Sequence, residues 1–132
     1  MRVHHIGYLV EDIESASTKF EQLGFSRLDN VIEDLELGIF VLFLNNRGYV
    51  IELIQPIDKA SLVYGLLKKH KNSPYHICYE TENIHSKVEE MVTGGGYMLI
   101  QQIQPSSGIP GCPNVAFLFS LHIGIIELVE RI

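Results

Sequence analysis

The 132-residue chain contains an internal repeat, and nothing else in it restricts the possible folds as strongly. Laying His76 on His5 keeps two segments in register without a gap. Ile77 falls on Ile6, Tyr79 on Tyr8, Glu82 on Glu11, Ile84 on Ile13, Ser86 on Ser15 and Gly95 on Gly24. With the histidines, these make seven identities in twenty positions at an offset of 71. Further along, Ile51-Glu52-Leu53 recurs as Ile126-Glu127-Leu128 at an offset of 75. Each copy opens on a histidine and closes on a glutamate. A repeat of this size implies two similar modules related by a pseudo-twofold axis.

The local patterns agree with that division. Val3 to Val10 predicts a strand, followed by Asp12 as the N-cap of a helix from Ile13 to Leu23. Ile13, Ala16, Phe20 and Leu23 fall on one helical face, and Gly24 is a C-terminal stop. Phe25 to Ile32 predicts a strand, Glu33-Asp34 a polar turn, Ile39 to Leu44 a buried strand, and Asn45 to Gly48 a hairpin turn before the strand Tyr49 to Ile54. Leu62, Val63, Leu66 and Leu67 predict a short linking helix over Ala60 to His70, broken at Asn72-Ser73-Pro74. The order then restarts. A strand at Tyr75 to Glu80 leads to a helix at Ile84 to Val92, capped by Asn83 and stopped by Gly94-Gly95-Gly96. Strands follow at Tyr97 to Ile103, Val115 to Leu121 and Ile125 to Val129, with a turn at His122 to Gly124. Pro105 to Pro113 predicts a loop long enough to fold over a pocket. The expectation is a single α+β domain over residues 1–132. Module one spans 1–56, the linker 57–73 and module two 74–132, and each module runs βαβββ.

Bulk properties narrow the function. A formal charge of −6 and an isoelectric point near 5.4 argue against a nucleic-acid partner, which needs clustered Lys and Arg. The one basic run, Lys68-Lys69-His70-Lys71, is what a solvated helix end looks like. No apolar stretch reaches the roughly 20 residues that cross a bilayer. His4, His5, Glu11 and Asp12 interrupt any apolar N-terminal run of the signal-peptide kind. Two cysteines without close spacing, Cys78 and Cys112, suggest reduced thiols and a cytoplasmic protein.

Glu52 and Glu127 both sit inside otherwise apolar runs, where a carboxylate is costly unless something pairs with it. A salt bridge or a strand edge would accommodate either one alone. Their recurrence at equivalent places favours a divalent cation. His5 and His76 are equivalent to each other, whereas His4, His70, His85 and His122 have no repeat partner and read as ordinary core or surface residues. His5, Glu52, His76 and Glu127 are therefore the candidate metal ligands. Two imidazoles and two carboxylates suit Ni²⁺, Co²⁺, Zn²⁺, Mn²⁺ or Fe²⁺. Such a set leaves positions open for water or substrate, unlike a closed structural zinc site, and an open site implies Lewis-acid chemistry.

The paired βαβββ modules resemble the vicinal oxygen chelate superfamily, which includes glyoxalase I (lactoylglutathione lyase), methylmalonyl-CoA epimerase, extradiol dioxygenases and the fosfomycin and bleomycin resistance proteins. His5 in HIGYLVEDIESA, Glu52 in IELIQP, His76 in YHICYETENI and Glu127 in IIELVE fall where that superfamily places four metal ligands. The resemblance covers essentially the whole chain and implies a curved mixed sheet around a metal cleft. Within the superfamily, IELIQP, the linker LVYGLLKKHKNSPYHIC and the glycine-rich loop Ser106 to Gly111 are most similar to methylmalonyl-CoA epimerases and their glyoxalase-like relatives. Two stretches depart from the epimerase pattern. The turn Ser120 to Gly124 lacks its proline and lysine, and Ile39 to Leu42 is apolar where epimerases carry an additional glutamate.

The resemblance implies a metal-dependent isomerase or lyase that abstracts a proton α to a carbonyl, with Glu127 or Glu52 as the base and a small thioester or hemithioacetal as substrate. Epimerase-like activity on an acyl-CoA leads, and hemithioacetal isomerisation is the alternative. A binding module without turnover is a further one. An extradiol dioxygenase holds iron with two histidines and one glutamate, so a fourth ligand would be surplus. A homodimer is expected.

Overall fold

The computed structural model describes residues 1–132, which form nine strands and three helices in an α+β fold. The chain separates into two compact units. One holds His5–Tyr75, and the other holds Met1–His4 together with His76–Ile132. No helix is long and apolar enough to cross a membrane.

In the first-repeat unit, β1 (Arg2–Leu9) leads to α1 (Ile13–Gln22), and β4 (Ile39–Asn46) to β5 (Tyr49–Pro56). Across this sheet β5 lies between β4 and β1. β1 runs parallel to β5, with Ile6 opposite Ile51 and Gly7 opposite Glu52. β4 and β5 form an antiparallel hairpin. Its two central turn residues, Arg47 (φ 52°) and Gly48 (φ 91°), both have the positive φ of a type I′ turn. The strand expected over Phe25 to Ile32 is interrupted. It forms β2 (Ser26–Arg27) and β3 (Ile32–Asp34), each antiparallel to β4. Between them the Asp29 carboxylate accepts from the Asn30 N–H, a local bond that competes with the ladder. The turn expected at Glu33-Asp34 lies later, because Asp34 is buried in β3 and its Oδ1 accepts from Leu37 N.

The linking helix is shorter than expected. α2 covers Tyr64–His70. Side chain-to-backbone bonds hold the preceding residues in turns, with Asp58 Oδ1 accepting from Ala60 N and Ser61 Oγ accepting from Val63 N. Leu67 is buried, but Leu62 is 78% exposed, so the expected apolar face is narrower than its pattern.

The second-repeat unit follows the expected order more closely: β6 (Ser73–Thr81), α3 (Ile84–Gly94), β7 (Met98–Pro105), β8 (Asn114–Ser120) and β9 (Gly124–Glu130). The order across its sheet is β6-β9-β8-β7, with β6 parallel to β9 and the other neighbours antiparallel. The loop Ser106 to Pro113 is closed by the bond from Ser106 N to Pro113 O and buries Ile109.

One device starts both major helices. Asp12 and Asn83 are the N-caps, accepting from Ser15 N and Ser86 N. The first helical N–H of each is bound by a side chain from the last strand of its module. Ile13 N donates to Gln55 Oε1 and Ile84 N to Glu130 Oε2, both at 2.9 Å. Under α1 lies a core of Val10, Ile13, Leu42, Leu44 and Leu53. Under α3 lies one of Ile84, Val88, Met91, Ala116, Leu118, Ile126 and Leu128. Asn83→Ala should cost about 1 kcal/mol, as N-cap losses do. Leu118→Ala should cost about 2–5 kcal/mol, as buried truncations do. Urea unfolding of the two variants measures both.

The buried Glu80 carboxylate is bound by Arg131 Nε at 2.7 Å and by Arg2 at 3.3 Å. The hydrogen bond from Arg131 holds its pKa below the ordinary carboxylate range, against burial, which acts the other way, and with help from the charge of Arg2. A carboxyl depressed in the folded state stabilises the protein above its unfolded pKa, and that contribution disappears as pH falls through the folded value. Glu80→Gln should therefore unfold more easily at pH 7, and its deficit in thermal stability should begin to close only once the pH drops below about 4. A deficit that persisted at low pH would show that packing, not charge, holds this residue.

Candidate metal centre

Strand alternation sets which side each residue takes. On β5, Ile51 and Leu53 pack toward α1, so Glu52 points to the opposite face of the sheet. The parallel register places Gly7 beside Glu52, and the antiparallel register places Phe43 on its other side. His5 is two residues before Gly7 and shares its face. Its Nε2 lies 3.3 Å from Glu52 Oε1, and its ring meets Phe43 edge-on at 5.4 Å and 86°.

The second-repeat unit reproduces each contact. Ile126 and Leu128 pack toward α3, leaving Glu127 on the far face of β9. Cys78 and Phe117 flank Glu127 in the two registers. His76 Nε2 lies 3.4 Å from Glu127 Oε1, and the His76 ring meets Phe117 edge-on at 5.4 Å and 86°. Exposure is 1% for His5, 5% for Glu52, and 4% for both His76 and Glu127. The four candidate ligands thus form two pairs of one geometry, one in each unit.

That geometry fits a shared cation within each pair. A direct charge-assisted N–H···O bond is shorter, about 2.7–2.9 Å. Two ligand atoms each about 2.0–2.2 Å from one ion lie roughly 3.0–3.5 Å apart at ordinary coordination angles. Both pairs fall in that interval. Edge-on aromatic packing fixes the orientation of each imidazole.

The remaining histidines are placed as the repeat implied: His70, His85 and His122 are exposed, and His4 is half-buried. Cys78 is buried in β6 and Cys112 exposed in the loop. Phe43 and Phe117 were not singled out from sequence, although Val41-x-Phe43-Leu44 recurs as Val115-x-Phe117-Leu118 at an offset of 74. Gln55 and Glu130 extend the second repeat at its offset of 75 and were also missed. In the apolar stretch Ile39 to Leu42, Ile39, Val41 and Leu42 are buried and Phe40 is half-buried, so this part of β4 adds no acid to the first pair.

Comparison with known proteins follows the same line. Residues 4–113 match the Glyoxalase/Bleomycin resistance protein/Dioxygenase superfamily. The chain is 30% identical over 91 residues to the mitochondrial methylmalonyl-CoA epimerase of Mus musculus, covering 68% of this chain and 51% of that protein. It therefore spans about half the length of that relative. Identity to the ethylmalonyl-CoA/methylmalonyl-CoA epimerase of Cereibacter sphaeroides is 28% over 118 residues, covering 89% of this chain and 87% of that protein. Among solved structures, a Streptomyces coelicolor methylmalonyl-CoA epimerase variant in complex with 2-nitronate-propionyl-CoA shares the fold. Its TM-score is 0.84 at 21% identity, over 99% of this chain and 97% of that one. With most of its length matched, the chain belongs to the glyoxalase/bleomycin resistance/dioxygenase superfamily.

Proposed function

We propose that this protein is a metal-dependent epimerase of an α-substituted acyl-CoA, with methylmalonyl-CoA the leading substrate. The repeated, buried His–Glu pair carries the proposal, because it supplies both metal ligands and a proton acceptor. The epimerase relatives support the acyl-CoA substrate, and the hemithioacetal lyase has no counterpart among them.

In this reading His5 and Glu52 of the first repeat and His76 and Glu127 of the second, all buried, would serve as ligands to a divalent ion of the Ni, Co, Zn, Mn or Fe kind. When bound, such an ion supplies Lewis-acid stabilisation of the negative charge that develops on a thioester oxygen. Glu127 or Glu52 takes the proton from the α-carbon and holds it on a carboxylate oxygen. The C–H electron pair moves toward the carbonyl, and the proton returns to the opposite face of the same carbon. No atom is gained or lost. Phe43 and Phe117 hold the imidazoles edge-on.

The direct test is deuterium incorporation at the α-carbon of methylmalonyl-CoA in D₂O. Exchange with racemisation is expected. A protein that binds stoichiometric metal yet exchanges no acyl-CoA would be a binding module instead. Glu127→Gln should lower exchange by about 10²–10⁴-fold with the fold intact; a fully active variant would remove Glu127 as the base. His76→Ala should reduce the metal retained after purification without chelator, measured by elemental analysis, and unchanged metal content would remove His76 from the ligand set. A homodimer belongs to the same reading, supported by the exposed Met98 and Ile100 on the edge strand β7, and light scattering at two concentrations tests it.

A further inference from the structure

An acidic protein that uses a polyanionic substrate needs somewhere to receive its phosphates. Of the ten Lys and Arg residues, four are already committed. Arg2 and Arg131 hold Glu80, Arg27 is paired with Glu14 and Glu21, and Lys87 with Glu90. Three of the other six, Lys68, Lys69 and Lys71, stand with His70 in four consecutive exposed residues at the end of α2. This is the one concentration of uncompensated positive charge in the chain.

The segment is braced. Ser73 Oγ donates to the carbonyls of His70 and Lys71, and Asn72 Oδ1 accepts from Glu11 N at 2.8 Å. Lys71 adopts φ 58° and ψ −157°, a region almost closed to residues other than glycine. The chain thus keeps a lysine where backbone energy alone favours glycine, and strain of this kind is tolerated where a side chain has work to do. Lys71 is five residues from His76, at most about 17 Å of extended chain, a distance that a pantetheine arm can bridge.

We propose that Lys68, Lys69 and Lys71 receive the phosphates of the 3′-phospho-ADP end of an acyl-CoA. The proposal rests on the acyl-CoA reading of the function and names the part of the surface that would make the protein select it. Attraction by three lysines raises the local concentration of a polyanion and weakens with salt.

Calorimetric titration with free CoA tests this without requiring turnover. The Lys68→Gln/Lys69→Gln/Lys71→Gln variant should bind CoA at least about tenfold more weakly than wild type. A Lys19→Gln/Lys59→Gln control should bind as wild type does. Lys71→Gly removes a charge while relieving backbone strain, so it should bind CoA more weakly yet unfold at a higher temperature. Pantetheine, which has no phosphate, should not distinguish any of these proteins. Equal CoA binding by wild type and the triple variant, no CoA binding by wild type, or equal affinity for ATP and CoA would each overturn the proposal. The deuterium-exchange assay separates the two ideas. Exchange with lysine-independent CoA binding would remove this docking site and leave the epimerase. Lysine-dependent binding without exchange of any acyl-CoA would do the reverse.

Discussion

Everything distinctive here depends on placing a carboxylate in the middle of an aliphatic strand. Glu52 and Glu127 are 5% and 4% exposed, and a buried charge left alone costs several kcal/mol. Only the face opposite the helix gives each glutamate a histidine at 3.3–3.4 Å. A slip of one residue in β5 or β9 would turn the carboxylate into the core under α1 or α3 and turn Leu53 or Leu128 out of it. Register is therefore set by two terms acting together, aliphatic burial on one face and charge compensation on the other.

The same strands also start the helices. Three residues beyond each glutamate, on the helix side, Gln55 and Glu130 bind the first N–H of α1 and α3. A strand whose alternate positions hold a metal-ligand candidate and a helix terminus couples the site to the core through rigid geometry. This explains why the offset of 75 extends past Ile-Glu-Leu to Gln55 and Glu130, and why α1 and α3 begin at equivalent residues.

Much of this was legible in the sequence, and the exceptions have physical causes. The repeat located both major helices, their caps and the two His–Glu pairs, because those features are local or recur at constant offsets. Phe43 and Phe117 escaped because their offset, 74, differs from that of either neighbouring segment, and an aromatic residue in an apolar strand looks like ordinary core. The split between β2 and β3 and the late start of α2 arise from side chains bonding nearby backbone at Asp29, Asp58 and Ser61, a competition that hydrophobic periodicity does not register. The Arg2–Glu80–Arg131 cluster joins residues near the two ends of the chain, and a pairing of that separation leaves no local pattern.

The repeat is imperfect where chemistry would require it. On the face of the His–Glu pairs, Leu9 in one copy corresponds to Glu80 in the other, and Gly7 to Cys78. Glu80 adds a second acid to the face of β6, but two arginines bind it and its pKa is lowered, which makes it a poor proton acceptor. In the first unit the flanking positions Leu9, Val41 and Phe43 are all buried and apolar. An epimerase must take a proton from one face of a carbon and return it to the other. On the proposed epimerase reading, with Glu80 neutralised and β4 apolar, the carboxylates left to serve as acid and base are Glu52 in one copy of the repeat and Glu127 in the other.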